Sequence, residues 1–272
     1  MTETCFSSSF SNIDAASNPT EFVHYMDDAN AMEFFRAAKI RTHELLALRA
    51  GDHVLDVGCG AGDDVRALAR IVGPTGRAVG VDSSQTMVDA AQQRSADSPL
   101  PVAFCVGDAE QLDFPDASFD GCRTDRVLQH LTTPASAVAE MVRVLRPGGR
   151  LVGFEPDTGG LMIDAPDREV TRKITHFRGD IVRSGWIGRQ LPRLCKDAGL
   201  SEVEVTVLPS PRTDYQHTNA SLRLDYYARS AAAAGVISID EARRWSESLA
   251  AAAAADRFFC VVMMFMVVGV KR

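Results

Sequence analysis

A glycine-rich turn between an apolar run and a helical pattern is the segment of this sequence best suited to binding a ligand. The run Val54–Val57 predicts a buried strand, and a helical pattern begins at Asp64. Glycines at such a junction allow a ligand to touch the backbone, although a tight turn without a ligand is the alternative for the motif alone. The acid in the strand and the loop after it supply five candidate binding residues: Asp56, Gly58, Cys59, Gly60 and Gly62.

Two carboxylates at the start of the following helix indicate which ligand this loop does not bind. A dinucleotide-binding loop has the spacing GxGxxG, whereas here Asp63 and Asp64 follow the glycines. The N-terminus of a helix attracts a pyrophosphate through its free N–H groups and partial positive charge, and two carboxylates there repel it. We therefore expect a ligand other than a dinucleotide.

Acids also follow the next two predicted strands. The run Val79–Asp82 ends in an acid 22 residues after Gly60, where a carboxylate can accept hydrogen bonds from ribose hydroxyls. Each acid alone could be a helix cap or a solvated turn. Together, acids at the carboxyl ends of three strands predict a ligand that is cationic or rich in donors. The third strand is followed by the candidates Gly107, Asp108 and Ala109.

Alternating strand and helix patterns predict how these residues are brought together. Five short apolar runs alternate with helical patterns, which predicts an α/β fold with a doubly wound parallel sheet. Pro147-Gly148-Gly149 is a helix stop before the fifth run. The predicted strands are Val54–Val57, Ala78–Val81, Val102–Val106, Phe119–Arg123 and Arg150–Phe154.

The alternation ends after Glu155. A sixth strand is expected near Val203–Val207 and a seventh at Phe258–Val270. The connection of about fifty residues between them is long for a plain loop, so we expect a lid or binding element there. The helical patterns of this half are Asp167–Phe177, Trp186–Ala198, Ala220–Ala234 and Asp240–Ala255.

Composition and charge exclude several classes of protein. The 272 residues carry 29 Lys and Arg against 36 Asp and Glu, a net charge of −7, which has the wrong sign for a protein that grips nucleic acid over its surface. Residues 52–125 hold 13 acids and five bases, so the acidity lies in the half with the glycine loop. The stretch Arg168–Lys196 carries eight bases and two acids, so an acidic substrate is one of the alternatives.

The remaining features predict a cytoplasmic protein without a metal or a membrane span. The sequence does not start with a basic segment and an apolar run, as a signal peptide would. The six cysteines show no CxxC or Cys/His pairing, so we expect reduced thiols and no metal site. The apolar run Phe258–Val270 has 13 residues, fewer than the ~20 that a membrane-spanning helix needs.

From about Arg49 to Asp157 the sequence resembles the class I S-adenosylmethionine-dependent methyltransferases. It is similar to their small-molecule group, which includes ubiquinone and menaquinone C-methyltransferases and natural-product tailoring enzymes. The residues before and after this stretch match only in outline. The segments that carry the resemblance are, in order, VLDVGCGAG, VGVDSS, VGDAEQLDFPDASFD and LRPGGRLVGFEPD.

The resemblance implies a Rossmann-like sheet of seven strands with the last one antiparallel. Residues 1–48 would form an N-terminal tail and helical cap, and residues 49–272 the methyltransferase domain. A helical lid would be inserted at about residues 209–257. S-adenosyl-L-methionine would be the cofactor. Assembly into a homodimer is one of the alternatives for the oligomeric state.

The resemblance also assigns the cofactor contacts. The glycine loop would lie under the methionine part, with Asp56 near its ammonium group, where opposite charges attract. Asp82 and Ser83 would hold the ribose hydroxyls. The remaining implied contacts are Met87, Asp108 and Ala109 at the adenine, Thr124 and Arg126 at the methionine end, and Tyr25 with His24 and Met26 as a cap.

Methyl transfer requires few catalytic side chains because the sulfonium is already an activated electrophile. The enzyme aligns the nucleophile and, where needed, removes a proton. His130 and Glu155 are the candidate bases, although each could be structural. Arg178 and Trp186 are the candidate substrate contacts, although a solvated arginine and a core tryptophan are the alternatives.

We therefore expect a methyltransferase acting on a small molecule, for example a polyketide, aromatic or quinone-like intermediate of secondary metabolism and antibiotic biosynthesis. Two alternatives stay open. The protein could bind the cofactor and catalyse a reaction without methyl transfer, such as a cyclisation. It could also be a non-catalytic partner subunit that senses the cofactor.

Overall fold

The fold was analysed in a computed structural model that describes residues 13–272. The first twelve residues lie outside this description. The expectations for the start of the chain and for Cys5 concern those residues. Among residues 13–272, no helix is long and apolar enough to cross a membrane.

Seven strands form one sheet in the order β3-β2-β1-β4-β5-β7-β6. The strand that comes last in the sequence, β7, is antiparallel. Neighbouring strands among the first five pair in parallel, which confirms the predicted Rossmann-like α/β fold. The strands are β1 (His53–Val57), β2 (Arg77–Asp82), β3 (Val102–Val106), β4 (Phe119–Asp125), β5 (Leu145–Ile163), β6 (Leu200–Arg212) and β7 (Cys260–Lys271).

Ten α-helices connect and extend these strands within residues 13–272. Several begin at a capping residue whose side chain accepts a backbone N–H, as Ser84 does for Met87 and Asp167 does for Val170. The helices are α1 (Thr20–Ala31), α2 (Glu33–Leu45), α3 (Asp63–Val72), α4 (Gln85–Gln93), α5 (Pro134–Val144), α6 (Arg168–Ile181), α7 (Ile187–Asp197), α8 (Tyr215–Leu222), α9 (Leu224–Ala233) and α10 (Ile239–Ala254).

Two predicted boundaries were wrong. The helical pattern at Ala220–Ala234 is two helices, because Arg223 adopts a left-handed conformation with φ 55° and ends α8. The fifth strand begins at Leu145 rather than at Arg150, since strand pairing already starts at Leu145 with Phe119 and then shifts register.

The chain divides into two compact units. The first contains the residues up to Glu155 together with 190–206 and 266–272, and the second contains 156–189 and 207–265. In the first, apolar side chains of β1, β2 and α3 form a core around Val54, Leu68 and Ala78. In the second, the buried Trp245 of α10 donates from Nε1 to Thr171 Oγ1 of α6 at 3.0 Å. The predicted lid at 209–257 stays a prediction.

Residues before β1 pack against the glycine-rich turn in the first unit. Asp14, in a short 3-10 helix, accepts hydrogen bonds from the backbone N–H groups of Gln85 and Thr86 at the start of α4, at 2.8 and 3.2 Å. The segment around it forms an apolar cluster with the turn and with α4. The buried members of this cluster are Ile13, Phe22, Val23, Ala61 and Met87.

The glycine-rich turn itself is closely packed at its first glycine. Gly58 has φ +74°, and a Cβ there would lie 2.1 Å from Cγ2 of Val127. The turn can therefore approach the segment after β4 only without a side chain at this position.

Gly58→Ala should lower the free energy of unfolding by about 2–4 kcal/mol, because a methyl group would clash with Val127 and strain the backbone. The matched control is Gly148→Ala, which has φ +82° but no atom within 4 Å of the added Cβ, and should cost only about 1 kcal/mol. Urea unfolding of both variants measures the difference. Equal losses would show that the contact with Val127 is unimportant.

Candidate functional site

The glycine loop and the carboxylate after β2 are joined directly. The backbone N–H groups of Gly58 and Cys59 donate to the Val81 carbonyl at 2.7 and 3.0 Å. The Gly60 N–H donates to Asp82 Oδ2 at 2.8 Å. The expected meeting of the first two strand ends is therefore present in the structure.

Asp82 retains capacity for a ligand. It accepts from Gly60 N and, through Oδ1, from Ser84 N at 3.0 Å, which leaves further lone pairs on both oxygens. Burial raises the pKa of Asp82, although its backbone hydrogen bonds act in the opposite direction. Ser83 beside it is exposed, and Met87 is buried in the apolar cluster described above.

The end of β3 meets the same edge. The Gly107 N–H donates to the Asp82 carbonyl at 3.0 Å, and the carboxylate of the exposed Asp108 accepts from Glu110 N at 2.8 Å. Ala109 next to it is buried. The structure therefore brings together the strand ends that carry the three predicted acids.

A buried arginine lies beneath this edge. Arg123 of β4 is 1% exposed and is the register partner of Asp56 on β1. Its Nη1 donates to Asp56 Oδ1 at 2.9 Å and lies 3.3 Å from Asp64 Oδ2, while its Nη2 donates to Asp125 Oδ2 at 2.8 Å. One guanidinium thus contacts three carboxylates.

Sequence reasoning missed Arg123. The sequence predicts it only as the last residue of the strand Phe119–Arg123. The available signal was a charged residue within a strand otherwise predicted to be buried, because such a charge needs a partner.

Lys39 and His43 of α2 and Arg126 after β4 complete this cluster. Lys39 and His43 both pair with Asp64, His43 at 2.9 Å, and Arg126 Nε donates to Asp125 Oδ1 at 2.8 Å. Despite burial, the neighbouring cations hold the pKa of Asp64 and that of Asp125 well below the usual range. For Asp56, burial prevails over Arg123 and raises the pKa to about 6.

The predicted contact of Asp56 with a cofactor ammonium group stays a prediction. In the structure its carboxylate is bonded to Arg123, so any ligand contact must share the carboxylate with that guanidinium.

The segment after β4 is held in a strained conformation by Phe154 and Glu155. Arg126 has φ 59° and its N–H donates to the Phe154 carbonyl at 2.8 Å. The carboxylate of Glu155, which is fully buried, accepts from the N–H groups of Val127 and Leu128 at 2.8 Å each. Burial raises the pKa of Glu155 to about 8 although these N–H bonds oppose the shift.

The other predicted residues of the first unit lie near this segment. His130 ends the short 3-10 helix Leu128–His130 that Glu155 supports. Thr124 is buried, and within residues 13–272 its Oγ1 has no hydrogen-bond partner. Arg126 Nη2 donates to Asn30 Oδ1 of α1 at 3.5 Å, so the helix that carries Tyr25 approaches this part of the site.

A cleft opens between the glycine loop and the N-terminal helices. Its lining combines the backbone of the loop with Met26, Asn30 and several members of the charge cluster. Asn30 Nδ2 donates to Asp63 at 3.2 Å, so α1 is tied to the helix that follows the loop. The cleft offers both carboxylates and cations to a ligand.

The two candidate substrate residues lie in the second unit. The indole of Trp186 is 45% exposed and carries the Arg189 guanidinium 4.5 Å above its ring. Arg178 lies with its guanidinium 5.2 Å from the ring centre of Tyr227. Trp186 is therefore not a core residue, and Arg178 is not a fully solvated one.

The candidate residues show no metal-binding arrangement. Within residues 13–272 there is no group of three or more His, Cys, Asp or Glu side chains that could hold a metal ion. The described cysteines are free thiols, four of them buried and Cys105 exposed.

Comparisons with known proteins agree with this geometry. The Methyltransf_11 model, described as a methyltransferase domain, matches residues 55–153. An uncharacterised 37.1 kDa protein in transposon Tn4556 of Streptomyces fradiae is 43% identical over 248 residues, covering 91% of this chain and 70% of that protein.

A second relative carries an activity in its name. The ubiquinone/menaquinone biosynthesis C-methyltransferase UbiE of Saccharophagus degradans is 38% identical over 132 residues, covering 48% of this chain. The match spans 53% of that protein's own length, about half of it.

The fold is shared with solved structures. The YcgJ protein of Bacillus subtilis superposes with a TM-score of 0.60 at 21% identity, covering 87% of this chain and 99% of that one. At this identity the likeness concerns the fold alone. With the sequence matches and the strand-edge geometry, the chain belongs to the class I S-adenosylmethionine-dependent methyltransferases, in the type 11 group.

Proposed function

We propose that this protein transfers a methyl group from S-adenosylmethionine to a small-molecule acceptor in the cytoplasm, an aromatic, polyketide or quinone-like intermediate of secondary metabolism. The observation that carries the proposal is the convergence of the glycine loop, Asp82 and Asp108 at one edge of the sheet. The ubiquinone/menaquinone C-methyltransferase relative supports a quinone-like acceptor.

The residues at this edge fit the cofactor. The glycine loop presents backbone without side chains, and Asp82 has lone pairs free for two hydroxyl donors. The buried, unpartnered Thr124 Oγ1 and the cations of the cleft provide polar groups at the methionine end. When bound, the cofactor supplies a methyl group on a positively charged sulfur.

The protein's part in the reaction is to orient and to accept a proton. The closely packed turn at Gly58 and the fixed segment after β4 hold the reacting partners in place, which lowers the entropic part of the barrier. We propose His130 as the proton acceptor where the acceptor molecule must lose a proton. Glu155 stays a second candidate, and its bonds to Val127 and Leu128 favour a positioning role instead.

A methyl-transfer assay tests the proposed activity. The purified protein is incubated with cofactor labelled at the methyl group and a panel of quinols, phenols and polyketides, and labelled products are sought by mass spectrometry. We expect a methylated product from at least one acceptor class. Tight cofactor binding with an unmethylated, rearranged product would favour the cyclase alternative, and binding without any product the partner-subunit alternative.

Asp82→Ala should weaken cofactor binding by about 1–3 kcal/mol through the loss of charged hydrogen bonds to the ribose. Isothermal titration calorimetry measures the affinity. Asp89→Ala is the matched control, since Asp89 is exposed on α4 and bonds only within that helix, to Gln85. Wild-type affinity in the Asp82 variant would remove this residue from the cofactor site.

Glu155→Gln should change how stability depends on pH. In the folded state the Glu155 carboxyl keeps its proton up to about pH 8, whereas in the unfolded chain it loses this proton above about pH 4.5. Glu155 therefore makes the wild type less stable as the pH rises toward 8. Relative to wild type, the variant should therefore gain up to about 3 kcal/mol between pH 5 and pH 8.

Urea unfolding at four pH values from 5 to 8 measures this difference, with the exposed Glu44→Gln as control. A difference that is constant with pH would contradict the raised pKa. The turnover of Glu155→Gln with an identified acceptor then distinguishes the two roles of Glu155. Loss of turnover is expected for a base, and retained turnover for a positioning residue.

A further inference from the structure

Arg178 of α6 is a cation without an anionic partner. Its Nε is buried and has no hydrogen-bond partner, and its Nη1 lies 3.5 Å from the Thr158 carbonyl, at the outer limit of a hydrogen bond. Within residues 13–272 no carboxylate forms an ion pair with it. The side chain as a whole is half-buried.

Two acids on neighbouring elements are engaged with other residues. Asp225 accepts from the hydroxyl of Tyr215 at 3.1 Å and from Asn219 at 2.7 Å. Asp157 forms a two-bond pair with Arg189 at 2.6 Å for each bond. Neither of these two carboxylates is therefore a partner of Arg178.

The groups that act on Arg178 are a phenol and a thiol. Burial lowers the pKa of Arg178, and only Tyr227 and Cys260 oppose this. Burial raises the pKa of the Cys260 thiol to about 11, and the positive charges of Arg212 of β6 and of Arg178 oppose this shift. Both guanidinium groups are therefore close to the same thiol.

Other polar groups of the second unit show the same incomplete pairing. The buried Nη1 of Arg223 has no hydrogen-bond partner, and the guanidinium lies 3.9 Å from the ring centre of Tyr226. The hydroxyl of Thr218, also buried, lacks a partner. Each such group costs free energy in the folded protein unless a ligand satisfies it.

We propose that Arg178 binds an oxyanion, a carboxylate or a phosphate group carried by the methyl acceptor. A guanidinium offers parallel N–H donors that match either group in a two-bond arrangement. Tyr227 provides a flat face beside this anion, and the exposed Trp186, whose Nε1 would lie 3.6 Å from a Cβ at Gly179, provides a second aromatic surface. The proposal rests on the proposed function, since it names the acceptor of that reaction.

Binding of simple oxyanions tests this without turnover. The full-length protein, saturated with S-adenosylhomocysteine, is titrated in a calorimeter with benzoate, phenyl phosphate and neutral benzyl alcohol. We expect wild-type protein to bind at least one anionic probe, more weakly at high salt, and not to bind benzyl alcohol measurably. Binding of benzoate alone would identify the oxyanion of the acceptor as a carboxylate, and binding of phenyl phosphate alone would identify it as a phosphate group.

Arg178→Met should weaken binding of that probe by at least about tenfold, because charged hydrogen bonds are lost. Arg172→Met is the matched control, since Arg172 is exposed on the same helix, and it should bind as wild type does. The thermal midpoint of the Arg178 variant should not fall, because an unpaired buried charge has been removed.

Three outcomes would overturn the proposal. They are the binding of neither anionic probe by wild type, equal binding by wild type and the Arg178 variant, and a sharp fall in the thermal midpoint, which would assign Arg178 a structural role. A protein that binds the oxyanion but transfers no methyl group would contradict the proposed function alone.

Discussion

The contact of one buried guanidinium with three carboxylates determines the geometry of the cofactor edge. Asp56 precedes the glycine loop and Asp64 follows it, and Nη1 of Arg123 lies within 2.9 and 3.3 Å of the two. Both ends of the loop are thereby fixed to β4. Through Asp125, the same guanidinium also reaches the start of the segment that leads to His130. Without this cation the three carboxylates would repel one another in a region from which water is largely excluded.

This charge cluster can be buried because its positive and negative charges balance locally. Lys39, Arg123 and Arg126 face Asp56, Asp64 and Asp125, so a dense set of ions carries almost no net charge. The second unit differs, since Arg178 has no such compensation. The first unit therefore balances this cluster within the fold, whereas Arg178 in the second unit forms no ion pair with a carboxylate of residues 13–272.

Local patterns were sufficient to predict the parallel strands and the meeting of their carboxyl ends, and the antiparallel last strand followed from the family resemblance. The glycines at 58, 60 and 62 and the acids Asp82 and Asp108 follow their strands directly, and the order of parallel strands places such ends together. The contacts of Arg123 with Asp56 and Asp64 and those of Glu155 with Val127 and Leu128 could not be predicted, because these partners lie on other elements of the chain. The break at Arg223 was missed because an alanine-rich pattern continues through it, and a left-handed arginine has no local signal.

The contact of Asp14 with the start of α4 has a consequence for the length of chain that the fold needs. Asp14 accepts the Ser84 hydroxyl at 2.7 Å across 70 positions of sequence, in addition to two backbone N–H groups of α4. A shortened chain that begins after Asp14 would leave those donors to water and would lack Ile13, a buried member of the apolar cluster that contains Met87. The short 3-10 helix before α1 thus supports the start of α4, which follows Asp82 at the edge of the sheet.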